Sequence, residues 1–231
     1  MIFFPLNPTQ RIVRNIQKYS RKLKIQVIVS KSGILRDIVV IGNGTPDDVV
    51  FSIVARDQNG KKVVGIVKPE KIWLNVIDFI PIYLQGNVKN ILILIDQEDK
   101  NLASLYDEIK ERITGIGIQA SEEDVDKRVR VFSCTRGAKK FRLIFVINGL
   151  DDIPTKKHTI EDHLVKAVSI FENNSILLEL KKSRKTSKDV WRGLEEGIKE
   201  KTLRQLTEQR KKMRKIFPQQ VLGCKYLEKD I

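Results

Sequence analysis

Five consecutive aliphatic residues, Ile91-Leu92-Ile93-Leu94-Ile95, run directly into Asp96-Gln97-Glu98-Asp99. The run is too short for a buried helix and is bounded by polar residues, so it reads as a β-strand covered on both faces. Strands of that kind belong to parallel sheets, where ligands gather beyond the carboxyl ends of the strands. The acidic cluster is therefore where a site is expected, and the other elements can be placed around it.

Upstream, residues 11–22 have helical spacing, with Ile12, Ile16 and Tyr19 on one side and Arg14, Lys18 and Arg21 on the other. Residues 25–29 alternate and read as a strand leading through Lys31-Ser32-Gly33 to Asp37, and 38–41 form a further strand that ends in Gly42-Asn43-Gly44. Thr45 as N-cap, Pro46 at the first helical position and Asp47 and Asp48 at the positive end of the dipole predict a helix. The β-branched content of 49–54 leaves a second reading open, a strand over 49–56 that turns at Asn59-Gly60 into 61–67. Residues 63–67 read as a strand, and Pro69-Glu70 opens a helix with Ile72, Val76, Phe79 and Tyr83 inward, shortened by Pro81.

Leu102, Leu105, Tyr106, Ile109 and Ile113 repeat at helical steps up to Gly115. Strands at 129–133 and 141–147 and a helix from about Thr159 to Phe171 complete the alternation. After Asn173-Asn174 the composition shifts to a basic linker, 181–188, and a long helical stretch carrying Trp191, Leu194, Ile198, Leu203, Leu206 and Met213. That stretch is expected to break near Lys199–Thr202 and to end at Pro218. Strands alternating with helices imply an α/β fold, a mostly parallel central sheet with helices on both faces. The expected division is a basic N-terminal helix and strand (1–36), an α/β domain (37–175) and a basic helical extension (176–231).

Charge separates the ends from the middle. The net charge is +14, yet 1–24 hold six basic residues and no acidic one, while 181–215 hold fourteen basic and five acidic, so these two segments account for all of it. Such a distribution favours polyanions. Lys181, Lys182, Arg184, Lys185, Lys188, Arg210, Lys211, Lys212, Arg214 and Lys215 form two dense clusters suited to tracking phosphates without reading sequence. A merely solvated basic face is the bland alternative. No stretch approaches the ~20 apolar residues of a membrane span. Cys134 and Cys224 show no disulfide or CxxC pattern, which points to a reducing cytoplasm. His158 and His163 are five apart, on different helical faces, so zinc is not expected. Gly42-Asn43-Gly44-Thr45 has the glycines of a phosphate-binding turn without the lysine of a P-loop, and Trp191 reads as packing more than as a stacking platform.

The order of elements over about 37–172 is a glycine-rich turn after a strand, then helix, strand, helix, strand ending in an acidic cluster, helix, and a later strand and helix opening with Glu-Asp. It resembles the Toprim fold shared by topoisomerases, primases and overcoming-lysogeny-defect nucleases. More closely, it is similar to small Toprim-like proteins of archaea and bacteria whose function is largely unassigned. Residues 91–99 look like that family's hydrophobic strand followed by Asp-x-Asp, with Asp96 leading, Glu98 second and Asp99 one residue further. Thr159-Ile160-Glu161-Asp162-His163-Leu164 looks like its Thr/Met-Leu-Glu-Asp-Leu segment.

The resemblance implies that Asp96, Glu98, Asp99, Glu161 and Asp162 share one sheet edge and hold Mg²⁺, with Asp96 and Glu98 catalytic; Mg²⁺ takes hard oxygens together with water and phosphate. Separately, the first group reads equally as an acidic loop capping the next helix, and the second as an acidic first turn stabilised by the dipole. Family members end the first strand with a glutamate that acts as general acid/base. Here Ile41 holds that position when Gly42 is aligned, and isoleucine neither transfers a proton nor ligates a metal. Asp47 or Asp48 could reach across, although capping is their simplest role. The expectation is a nucleic-acid-binding protein on a degenerate Toprim-like domain, contacting phosphates through its basic termini. A Mg²⁺-dependent phosphodiester nuclease and a protein-interaction module of a nucleic-acid-processing complex are the alternatives.

Overall fold

The structure, a computed structural model, describes residues 1–29, 33–58, 62–172, 175–183 and 185–229. Lys31-Ser32, Asn59-Gly60, Asn173-Asn174 and Arg184 lie outside the described residues. In chain order the elements are β1 (Ile2–Pro5), α1 (Arg11–Lys22), β2 (Asp37–Ile41), α2 (Asp47–Asp57) and β3 (Val63–Val67). A 3₁₀ segment (Trp73–Phe79) then runs into α3 (Ile80–Tyr83), followed by β4 (Asn90–Asp96), α4 (Leu102–Gly115), β5 (Gln119–Val125), β6 (Val129–Arg136) and β7 (Lys139–Asn148). The remaining helices are α5 (Ile160–Phe171), α6 (Ile176–Lys182), α7 (Ser187–Gly193), α8 (Glu196–Glu208), α9 (Arg210–Ile216) and α10 (Pro218–Glu228).

The fold is α/β. Seven strands form one sheet in the order β1-β3-β2-β4-β7-β6-β5. The first five in that order are parallel, and β6 and β5 close the far edge by antiparallel pairing. All seven residues of β4 are buried, because both faces are covered. Leu92 and Leu94 join Val39, Ile144 and Val146 under α1, α2, α5 and α10, and Ile91, Ile93 and Ile95 join Phe145 and Leu143 under the 3₁₀ segment and α4. Among the described residues no helix is long and apolar enough to cross a membrane.

Several local expectations need correction. Residues 25–29 form no ladder strand and touch β1 only through an isolated Phe3–Ile28 bridge. The helix expected after Pro69 is a 3₁₀ segment and one short turn, since Trp73 enters with φ 54° and Pro81 cannot continue the ladder. Pro46, joined to Thr45 by a cis peptide, is the N-cap of α2, so Thr45 lies outside it. The expected break at 199–202 falls within a continuous α8, and Pro218 opens α10 rather than closing the run. Proline suits the first turn of a helix, where its missing N–H has no intrahelical partner.

α2 is helical despite its β-branched residues. Nine of its eleven residues are buried, and it packs against α1, α8, α9 and α10. Burial on every side decides the conformation over intrinsic propensity. The basic extension packs into the same core: Trp191, Leu206, Phe217 and Leu227 are buried with the sheet residues. Gly223 of α10 makes this docking close, because a Cβ there would lie 2.4 Å from Val146 Cγ2 of β7.

Candidate active site at the carboxyl edge of the sheet

The strands β2, β4 and β7 end side by side, and a polar residue follows each apolar run at the same edge. Asp96 closes β4 and pairs in register with Asn148 at the end of β7. Asn43 arrives from the turn after β2, held near by Gly42. A Cβ at Gly42 would stand 2.5 Å from Ile95 Cγ2 and 2.6 Å from the Leu94 carbonyl oxygen, so the close approach requires glycine. Asn43 Nδ2 donates to Asp96 Oδ2 at 2.7 Å, and its Oδ1 accepts from the Asp96 amide at 3.2 Å.

Asn148 bridges two carboxyls, donating from Nδ2 to Asp96 Oδ1 at 3.0 Å and to Asp47 Oδ1 at 2.8 Å. Asp96 Oδ1 also accepts the Ile160 amide at the start of α5, 3.1 Å away. Glu161, next in that helix, is buried, and its carboxylate makes no hydrogen bond or ion pair among the described residues. Asp47, Asp96 and Glu161 are thus gathered at one edge, 3%, 2% and 3% exposed, with no ion pair to a lysine, arginine or histidine among the described residues. Burial, together with the charges of Asp96 and Glu161, pushes the Asp47 carboxyl well above the carboxylate range. Burial, then the Glu161 charge, moves Asp96 up to about 8 against the pull of Asn148 and the Ile160 amide. Asp48 is raised by burial to about 6, even though the Val49 amide, Asn15 and Thr45 favour its charged form. Like charges crowded out of water are a mark of functional carboxylates.

These groups floor a cavity of about 700 Å³. Glu98 and Asp48 share its lining, and four cations, Arg11, Lys68, Lys188 and Arg192, stand in its walls. The backbone around it is strained: Glu98 and Trp73 both have positive φ, 59° and 54°, and Trp73 Nε1 donates to the Asp96 carbonyl at 2.8 Å. Non-glycine residues in that region cost about 1–3 kcal/mol each and collect at functional sites.

Of the residues singled out in the sequence, Asp96, Glu98 and Glu161 line the cavity. Asp99 is exposed in the following turn and is not in the lining. Asp162 is fully buried but faces away from it, accepting from the Leu150 amide at 3.1 Å and meeting His158 Nδ1 at 2.8 Å. Among the basic residues, Lys188 reaches the cavity wall. Arg210 and Arg214 pair with Asp57 at 3.4 and 2.6 Å, Lys212 sits over the Phe171 ring, and Lys181, Lys182, Lys185, Lys211 and Lys215 are exposed.

The sequence offers Asp47 only as a group that could reach across or cap a helix and Asn43 only within a phosphate-binding turn, and it does not single out Asn148. A polar residue terminating a buried strand marks Asn148 as it marks Asp96, so that signal was present. His163 is a structural group: Nδ1 donates to the Ile216 carbonyl at 2.5 Å, Nε2 accepts the Gly149 amide, and burial drops its pKa to about 4.

Glu161 and Asp96 are the cavity carboxylates that could take part in holding a hard divalent cation. No three His, Cys, Asp or Glu side chains among the described residues stand close enough to enclose a metal by themselves. Mg²⁺ needs only one or two carboxylates, because water and a substrate phosphate complete its shell. Glu161, whose carboxylate has no partner among the described residues, could supply one such ligand, while both oxygens of Asp96 already accept hydrogen bonds. No family model, no curated protein and no solved structure matches this chain.

Proposed function

We propose that this chain is a Toprim-like, divalent-metal-dependent phosphodiesterase acting on nucleic acid. The observation that carries the reading is the gathering of Asp47, Asp96 and Glu161 in one cavity, with no cation paired to them among the described residues, beneath a rim of Arg11, Lys68, Lys188 and Arg192. Buried carboxylates are costly unless compensated, and a cavity with an acidic floor and a basic rim is compensated when a cation and a phosphate enter together. The parallel pairing of β2, β3, β4 and β7 is consistent with the family likeness, although β4 reaches β7 through α4 and the antiparallel strands β5 and β6. Ile41 leaves the family's glutamate position empty of chemistry, and Asp47, linked to Asp96 through Asn148, supplies a carboxyl from the next element instead.

In this reading Glu161 and Asp96 hold the metal, Asn43 and Asn148 fix the Asp96 rotamer, and the four rim cations seat the phosphodiester backbone. Bound Mg²⁺ supplies Lewis-acid polarisation of the phosphate and a nucleophilic water. A non-catalytic nucleic-acid-binding module is the second reading, favoured by the amides that already satisfy both oxygens of Asp96.

Cleavage of single- and double-stranded DNA and RNA with Mg²⁺ or Mn²⁺ separates the two. The expected result is metal-dependent cleavage that falls about 100-fold or more in Asp96→Asn and Glu161→Gln, with a Mg²⁺-induced rise in Tm that both variants lose. No cleavage, no metal-induced shift and equal oligonucleotide binding by Asp96→Asn would leave the binding module.

A further inference from the structure

A second cavity, of about 720 Å³, opens at the opposite end of the sheet. It is organised by one register row in which Asp37, Asn90, Arg142, Ser133 and Ser121 stand opposite one another across β2, β4, β7, β6 and β5. Each of these five strands contributes a polar side chain at this level, although the next levels inward are apolar in β2, β4 and β7. The network within the row leaves positive charge over. Asp37 is already neutralised, meeting Lys62 Nζ at 2.9 Å and accepting from Asn90 Nδ2. Arg142 is 9% exposed; its Nε donates to Asn90 Oδ1 at 2.8 Å, and Nη2 is used by the Tyr226 and Lys229 carbonyls.

Arg142 Nη1 has no hydrogen-bond partner among the described residues. Arg36, Lys89 and Lys140 join it in the lining, and none of the three makes an ion pair among the described residues. Four cationic groups therefore border one cavity whose single lining carboxylate is already committed to Lys62. Ala120 is the exposed apolar residue of the lining, while Phe141 and Cys134, also in the lining, are packed into the core on the α4 side.

We propose that this cavity binds a small organic molecule carrying a terminal phosphate or diphosphate group. The volume lies in the range of about 300–1,000 Å³ typical of small-ligand sites. A guanidinium with a free N–H matches phosphate geometry, and two or more negative charges are needed to balance the surplus. The guanidinium is nine-tenths buried, so a phosphate at the end of a molecule can reach it, whereas one flanked by chain on both sides cannot. Ala120 and the alkyl stems of Lys89 and Lys140 receive the organic body. This site is independent of the carboxylate cavity and of its chemistry.

Calorimetric titration of the full chain at fixed physiological ionic strength, with inorganic pyrophosphate and with a nucleoside diphosphate, tests the assignment. Arg142 is structural, so the variant is the exposed pair Arg36→Ser with Lys140→Ser. The expected result is saturable one-to-one binding, tighter for the nucleoside diphosphate, and weakened roughly tenfold or more by the double variant. Lys188→Ala with Arg192→Ala, at the other cavity, should leave that binding in place. Absence of saturable binding would overturn the proposal, as would binding lost with Lys188 and Arg192 but kept without Arg36 and Lys140. A double variant that weakens only a single-stranded oligonucleotide would overturn it in favour of a strand-binding groove.

Discussion

At the amino end of the sheet Asp37 is 3% exposed and meets Lys62 at 2.9 Å. At the carboxyl end Asp96 is 2% exposed and meets only amides, with Asp47 and Glu161 equally buried beside it. Burial is nearly the same, and compensation is not. The first is the arrangement expected of a group that holds strands together, an ion pair reinforced by a hydrogen bond from the same sheet. The second gathers carboxylates that, among the described residues, have no cation paired to them. The contrast teaches that a buried carboxylate becomes a site candidate through the partner it lacks, and the strained φ angles at Trp73 and Glu98 occur at that same end.

The comparison can be broken by exchanging the charge at each end. Asp37→Ala removes the carboxylate facing Lys62, whose Nζ keeps the Leu227 carbonyl at 2.7 Å, and should lower Tm by about 4–8 °C, corresponding to ~2 kcal/mol for a partly exposed pair. A change within error in thermal melts would show that the amino end is no more structural than the other. Asp96→Asn should do the reverse at high pH. An unfolded aspartate ionises near 3.8, whereas Asp96 in the fold ionises near 8, so between these values the folded state holds a proton that the unfolded state has released. Stability from this group therefore declines as pH rises from about 4 to about 8. The asparagine removes that decline: Tm should rise by about 2–5 °C at pH ~8.5 and change little at pH ~5. A fall at both pH values would mean that Asp96 is a fold-holding residue like Asp37.

The smallest effect belongs to His163, which is buried neutral beside the same edge. Its pKa is about 4 in the fold against 6.5 when unfolded, so its contribution is complete above about 6.5 and is lost as pH falls through 4. His163→Asn retains a donor towards the Ile216 carbonyl without the titration. It should flatten the loss of Tm between pH ~6.5 and ~4.5 by about 1–3 °C, and an unchanged slope would assign the acid sensitivity to other groups.

Much of the architecture was legible because periodicity reports burial. The β4 run and the helical steps of α4 were unambiguous, and the mostly parallel sheet with helices on both faces followed from the alternation. β5 was not legible: Gln119–Val125 is exposed throughout and has no apolar alternation, so it is a strand because β6 lies beside it. At the site, Asp96 and Glu161 stood out as carboxylates at element ends. Asp47 did not, since an acidic residue in a first helical turn has the same signature whether it steadies a dipole or lines a cavity. What separates the two roles is Asn148, which is 101 residues away in the chain and adjacent only in the fold.

The last helix has a consequence for how the basic tail can be studied. Gln220 Nε2 donates to Asn148 Oδ1 at 2.7 Å, and Gln219 Nε2 to the Gly149 carbonyl at the same distance, so α10 braces the residue that joins the two carboxyls. A shortened protein lacking α10 would lose the orientation of Asn148 together with its charges, and any drop in activity would mimic the loss of a substrate-gripping arm. Only side-chain replacements at exposed tail lysines, with the backbone left whole, can report what the tail itself touches.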